Sequence, residues 1–171
     1  MSILERFKSK GKKALNRLPS VHVTLDELRS AVLRFERDMG NGINRTVLMQ
    51  EDGSIDLGRL SRYLGGSSDQ KFYLSRETFE LFDESERHIP YHLDRVQWAV
   101  DDYVNENGHL PVLSDSPYLE VDCRKLYQQR YLHEIPDFPV YVTDQEMMVT
   151  HREPAILPKQ KEEQDRSYVL L

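Results

Sequence analysis

A chain of 171 residues, 39% hydrophobic and 30% charged, has the composition of an ordinary folding protein, with length for one domain or for two small units sharing a core. No apolar run approaches the roughly 20 residues that span a bilayer, and the first residues lack the apolar stretch of a signal peptide. Ser2 follows Met1 where N-myristoylation needs glycine, and the single cysteine, Cys123, excludes an internal disulfide or a multi-cysteine zinc site. These features predict a cytoplasmic protein.

The net charge of −6 is unevenly spread. Of 23 basic and 29 acidic residues, six (Arg6, Lys8, Lys10, Lys12, Lys13, Arg17) and one (Glu5) lie in residues 1–18, so that stretch carries +5 and the rest, 17 against 28, carries −11. An acidic body repels phosphate backbones, which argues against nucleic acid as a partner. Residues 1–19 read as a basic amphipathic arm. Leu4, Phe7, Gly11, Ala14 or Leu15, and Leu18 fall on one helical face with Ile3 beside it, and the basic residues mostly take the others. Each basic residue at an anionic membrane surface contributes about 1 kcal/mol. Burying Leu4 and Phe7 adds roughly 2–4 kcal/mol, and Gly11 opposes the helix by about 1 kcal/mol. Ile3, Leu4, Phe7, Lys8, Lys10, Lys12 and Lys13 are therefore candidates for contact with a membrane or partner. Packing of the arm on its own acidic body, or an unattached terminus, are the competing readings.

Next in the chain, "TLDELRSAVLRFERDMG" carries a capping box, Thr24 with Glu27, and an apolar stripe at Leu25, Leu28, Ala31, Val32 and Phe35, predicting a helix over about 24–39. "RTVLMQ" and "SID" flank Asp52-Gly53 and predict a hairpin. A short helix over 57–64 stops at Gly65-Gly66, and Lys71–Phe82 predicts a β-hairpin. Alternation of Phe72 and Leu74 with Tyr73 predicts one buried face and one wetter face.

The same series then recurs. Adding 68 to the stripe positions gives Leu93, Val96, Ala99, Val100 and Tyr103, all apolar or aromatic, on a second helix over about 91–106. Gly40 and Gly108 match as left-handed helix stops. "IDLGRL" matches "VDCRKL" at a spacing of 66, with Asp122 as an N-cap and a short helix over 122–132. "FYLSRETFELFD" matches "VYVTDQEMMVTH" at 68, so Pro139–Thr150 predicts a second hairpin. The expected fold is α+β: two related helix–strand–short helix–hairpin units, residues 20–86 and 87–152, packed together as an internal duplication, followed by a polar tail over 153–171. About 60 residues bury too little surface alone, so the units should share a core. Trp98 stands where the first unit has Ser30, which marks it as a contact between units or a partner surface.

No catalytic or metal signature holds up. An EF-hand register through Asp52-Gly53 puts Arg59 where calcium needs a bidentate carboxylate. His88 and His92 have zinc-helix spacing, but Pro90 lies between them and no third ligand follows. Glu120, Asp122 and Lys125 lack a nuclease's lysine spacing, Cys123 has no identifiable base, and Asp94, Asp101 and Asp102 read as solvated charges. No cofactor is expected.

"AVDDYVNENGHLP" with "IPDFPVYVTDQEMMVTH" resembles a family of small uncharacterised proteins from Gram-positive spore formers, over roughly residues 22–152. That resemblance implies no site residues. The "NG…P…YL…P" rhythm is similar to pilin-like head domains, but the chain lacks their long apolar N-terminal helix. The expected role is a non-catalytic binding or regulatory module, peripheral to the inner membrane face through its arm, with a protein partner or an anionic surface as its target. The alternative is a small enzyme with its site assembled between the units.

Overall fold

Helix α1 (Leu25–Asp38) starts where Thr24 and Glu27 cap each other: the Thr24 hydroxyl accepts from the Glu27 amide (3.3 Å) and the Glu27 carboxylate from the Thr24 amide (2.8 Å). These bonds satisfy amides that the first helical turn leaves without partners. The helix is part of a computed structural model that describes residues 18–154. The fold is α+β, with helices and two small antiparallel strand pairs. The candidate arm residues Ile3, Leu4, Phe7, Lys8, Lys10, Lys12 and Lys13 lie outside the described residues.

Met39, at φ −89°, ends α1, so the expected glycine stop at Gly40 is not used there. "RTVL" is a 3₁₀ turn (Arg45–Leu48) and not a strand. The Asn44 side chain accepts from the Thr46 amide (2.9 Å), and Arg45 clasps Glu36 of α1 with two bonds of 2.9 Å, which curls the segment onto the helix. Across the Asp52-Gly53 turn a single bridge pairs Met49 with Ile55, flanked by bonds from Gln50 N–H to Ser54 O and from Asp56 N–H to Leu48 O, both 2.8 Å. Helix α2 (Leu57–Leu64) is capped by Asp56 and ends at Gly65, whose φ of 75° favours glycine. Strands β1 (Phe72–Leu74) and β2 (Leu81–Asp83) form the first hairpin.

Helix α3 (Ile89–Asn107) begins two residues earlier than its sequence pattern predicts, since Pro90 fits its first turn, and it ends at Gly108 (φ 73°). Asp122 caps α4 (Cys123–Gln128), accepting from the Lys125 amide (2.9 Å). This helix is shorter than expected because Arg130 turns to φ 67° and the amides of Tyr131 and Leu132 fold back onto the Leu126 carbonyl. Strands β3 (Tyr141–Val142) and β4 (Val149–Thr150) complete the series.

Equivalent hydrogen bonds recur in the two halves. Ile55 N–H donates to Phe72 O (2.8 Å) as Val121 does to Val140 (2.7 Å), and Leu74 donates to Gly53 (3.3 Å) as Val142 does to Leu119 (2.8 Å). Ser75 donates to Glu80 (3.0 Å) as Thr143 does to Met148 (2.8 Å). Phe79 and Met147, at matching positions in the hairpin loops, both adopt φ 58°.

Each half has its own core. Leu28, Val32, Phe35, Leu60, Phe72 and Leu74 fill the first, and Leu93, Val96, Val100, Leu126, Val140 and Val142 fill the second. The wetter face expected at Tyr73 is absent. Tyr73 and Phe82 leave the first core and insert into the second, so both faces of the first hairpin are buried. The cause is tertiary: the second half covers the side that an isolated hairpin would expose to water.

Candidate functional site: the groove at Trp98

Seven residues apart on α3, Tyr91 and Trp98 share its outward face. Both stay half exposed, at 52% and 51%. They form one wall of a groove of about 350 Å³ whose opposite wall comes from the first half: Met49, the Asp52-Gly53 turn and the strand residues Tyr73 and Leu74. Trp98 therefore faces the junction of the halves without being sealed into it.

Three interactions hold the walls. Asp94, one turn before Trp98, accepts from the Ser75 hydroxyl (2.6 Å), the Glu77 amide (3.1 Å) and the Arg76 amide (3.2 Å), which fixes α3 to the loop after β1. The Arg95 guanidinium stacks over the Tyr91 ring, 4.2 Å from its centre, and restrains that ring. Opposite, the Asp52 carboxylate accepts from the Ser54 hydroxyl and amide, which holds its pKa below the ordinary carboxylate value. Arg76 and Arg87 offset two of the three carboxylates, Glu51, Asp52 and Asp94, that line the groove. The mixture of apolar surface and both signs of charge suits an extended peptide better than a phosphate, which three carboxylates oppose.

A second polar cluster lies where the hairpins meet. His151, 13% exposed on its side chain, hydrogen-bonds Glu86 through Nε2 (3.2 Å) and faces Glu80 across 3.9 Å with Nδ1. Phe82 and Phe138 lie against its ring, and Arg152 reaches Glu86 (3.6 Å). The two carboxylates sit on opposite ring nitrogens, so they cannot share one cation with the imidazole. No group of three or more His, Cys, Asp or Glu among the described residues is arranged to hold a metal. His88 and His92 instead pack their rings on Phe138. Cys123 is partly buried at the start of α4, and burial pushes its thiol up to about 12, with Asp122 and Glu120 adding to the shift.

Residues 18–151 match a family described as a protein of unknown function, DUF3939. The chain belongs to that family. The match covers both halves, both hairpins and every groove residue named above, so the groove is part of the family's own domain. No curated protein and no solved structure matches the chain. No described helix is long and apolar enough to cross a membrane.

Of the expected site residues, only Trp98 lies among the described ones. Tyr91, Asp94 and His151 were not legible as site residues. Asp94 reads as a solvated charge because its three donors sit in a loop that sequence spacing does not connect to α3. Tyr91 offers one signal: its seven-residue interval from Trp98 repeats an aromatic on one helix face, on the side away from the core stripe.

Proposed function

We propose that this family member is a non-catalytic binding or regulatory module built from two related units, residues 20–86 and 87–152, that arose by internal duplication. It sits peripherally on the cytoplasmic face of an anionic membrane through its arm and receives an extended segment of a protein partner in the Trp98 groove. The observation that carries the binding reading is the half-exposed pair Tyr91 and Trp98, held on one wall of an open groove by Asp94 and Arg95. Large aromatics with restrained geometry at low entropic cost are what binding hot spots are made of. The duplication is supported by the matched hydrogen bonds at offsets of 66 and 68 and by the matched positive-φ residues Phe79 and Met147.

A photo-crosslinking residue placed at 91 or at 98 tests the groove, with Tyr127, also exposed, as the control position. The expected result is one adduct of the same mass from both groove positions and none from 127. Adducts that do not differ between the three positions would sink the reading.

The enzyme alternative has one observation in its favour, the convergence of His151, Glu80, Glu86 and Arg152 between the halves. Those groups face one another, and both ring nitrogens of His151 are directed at carboxylates of the protein. The cluster thus serves as a polar tie across the junction. A double substitution Glu80→Gln/Glu86→Gln should lower stability with no effect on crosslinking at the groove.

A further inference from the structure

Although residues 19–154 are acidic overall, one face of the first half is not. Arg34 and Arg37 of α1 and Arg62 of α2 line a pocket of about 340 Å³ around Tyr63, opposed there by one carboxylate, Asp38. The pocket lining carries a surplus of two positive charges. Its geometry is set by the fold: Arg34 donates to the Tyr63 carbonyl (2.7 Å), Arg62 pairs with Asp38 (3.2 Å) while lying over the Tyr63 ring (5.3 Å), and the Tyr63 hydroxyl donates to Asp38 (2.9 Å). Arg37 has no partner among the described residues.

The segment that follows the basic arm in sequence lies against the same half. Val21 N–H donates to Ser67 O and Ser67 N–H to Pro19 O, both at 2.8 Å, which pins residues 19–21 against the end of α2. Gly66 permits that approach, since a β-carbon there would lie 2.3 Å from the Pro19 oxygen. A neighbouring pocket shares Arg34 and Tyr63 with the arginine pocket and reaches His22 and Val23, with the carboxylates of Asp26 and Glu27 also in its lining.

We infer that the Arg34–Arg37–Arg62 pocket binds the phosphate of an anionic lipid headgroup, so that the α1–α2 face and the arm bind the membrane together and fix the body's orientation on it. This rests on the membrane reading above and adds a defined second point of attachment. Guanidinium groups recognise phosphate through planar, forked donors, and three of them converge here where the rest of the body repels anions. Two attachment points joined through a pinned segment bind as one unit, because the second engagement is intramolecular.

Co-sedimentation of the full chain with vesicles of phosphatidylglycerol in phosphatidylcholine, and with phosphatidylcholine alone, tests the inference at low salt. R34Q/R37Q/R62Q should lower partitioning about a hundredfold, at the usual contribution per basic residue. Because Arg34 and Arg62 also make structural bonds, R37Q alone, expected to lose about fivefold, and D38N, expected to gain about fivefold, separate binding from folding. If K8Q/K10Q/K12Q/K13Q abolishes binding while the three pocket variants leave it unchanged, the inference fails and the arm alone attaches the protein. If the wild-type chain ignores anionic vesicles, the membrane reading and the inference both fail. Inorganic phosphate at matched ionic strength should displace the chain from anionic vesicles better than chloride does, and that advantage should vanish in R34Q/R37Q/R62Q. Equal competition by the two anions would overturn the inference, and tight saturable phosphate binding without vesicles would assign the pocket to a soluble anion instead.

Discussion

Removing the Asp94 carboxylate should loosen the junction between the halves. Asp94 holds one hydroxyl and two amides of the loop after β1 from a position on α3. Ser75 is fully buried, and its oxygen already accepts from the Thr78 amide (3.0 Å) and hydroxyl (2.7 Å), so Asp94 is the acceptor for its proton. Leaving a buried donor unsatisfied costs about 1–3 kcal/mol. The amides of Arg76 and Glu77 are less buried and regain water, adding about 1 kcal/mol between them. Asp94→Ala should therefore destabilise by about 3 kcal/mol, and Asp94→Asn, which keeps an acceptor, by about 1 kcal/mol. Urea unfolding followed by Trp98 emission and by far-UV circular dichroism measures both. Emission from the chain's only tryptophan reports on the junction itself. The two probes should move together for wild type and separate for Asp94→Ala if the halves lose their coupling. A midpoint for Asp94→Ala equal to wild type would refute the assignment of Asp94 as the tie.

Three further outcomes follow from the geometry. Gly66→Ala should cost about 2–3 kcal/mol, read as a lowered thermal midpoint, because the added carbon meets the Pro19 backbone oxygen at 2.3 Å and the Val21 side chain at 2.6 Å. Cys123, raised in the folded chain from the ordinary 9.0 to about 12, contributes stability that is complete below pH 9 and lost as pH climbs towards 12, where the unfolded thiol ionises first. Cys123→Ala should flatten the alkaline arm of the stability profile, and in wild type the thiol should label slowly until urea unfolds the chain. Met147→Gly should stabilise by about 1 kcal/mol in chemical denaturation, since a half-exposed side chain is held at φ 58°.

Local rules carried the sequence reading a long way. The capping box at Thr24, the cap at Asp122, the apolar stripes of α1 and α3, and the glycine stops at Gly65 and Gly108 are all set by neighbours within about one helical turn, and all were legible; the cap at Asp56 was not read. The misreadings have longer-range causes. "RTVL" has good β-formers, yet Arg45 bonds to Glu36, nine residues back, and to the carbonyl of Phe79, 34 residues on. Tyr73 alternates like a water-facing strand residue because its partner core begins only at α3. The groove was legible at a single position, Trp98, through its contrast with Ser30. The opposite wall comes from loops whose approach to α3 depends on Asp94 and on the burial of Tyr73.

The first hairpin explains why the halves hold together although each has a core of its own. Phe72, Leu74 and Leu81 point into one core, while Tyr73 and Phe82 point into the other, so a pair of three-residue strands serves both. Fully burying a Phe contributes about 2–3 kcal/mol, and Phe82 is 0% exposed. Separating the halves would return that surface, and Tyr73 with it, to water and would break the Asp94 and His151 ties. The second hairpin has no such double role, but its β4 is tied back to α3, where the side chain of Gln97 accepts from the Val149 amide (2.8 Å). Helix α3 thus holds one hairpin through Asp94 and the other through Gln97, and carries Trp98 on the next position. A groove wall built on the element that joins both halves is rigid where a loop would not be, and rigidity at the aromatic pair is what lets an open surface bind without a large ordering cost.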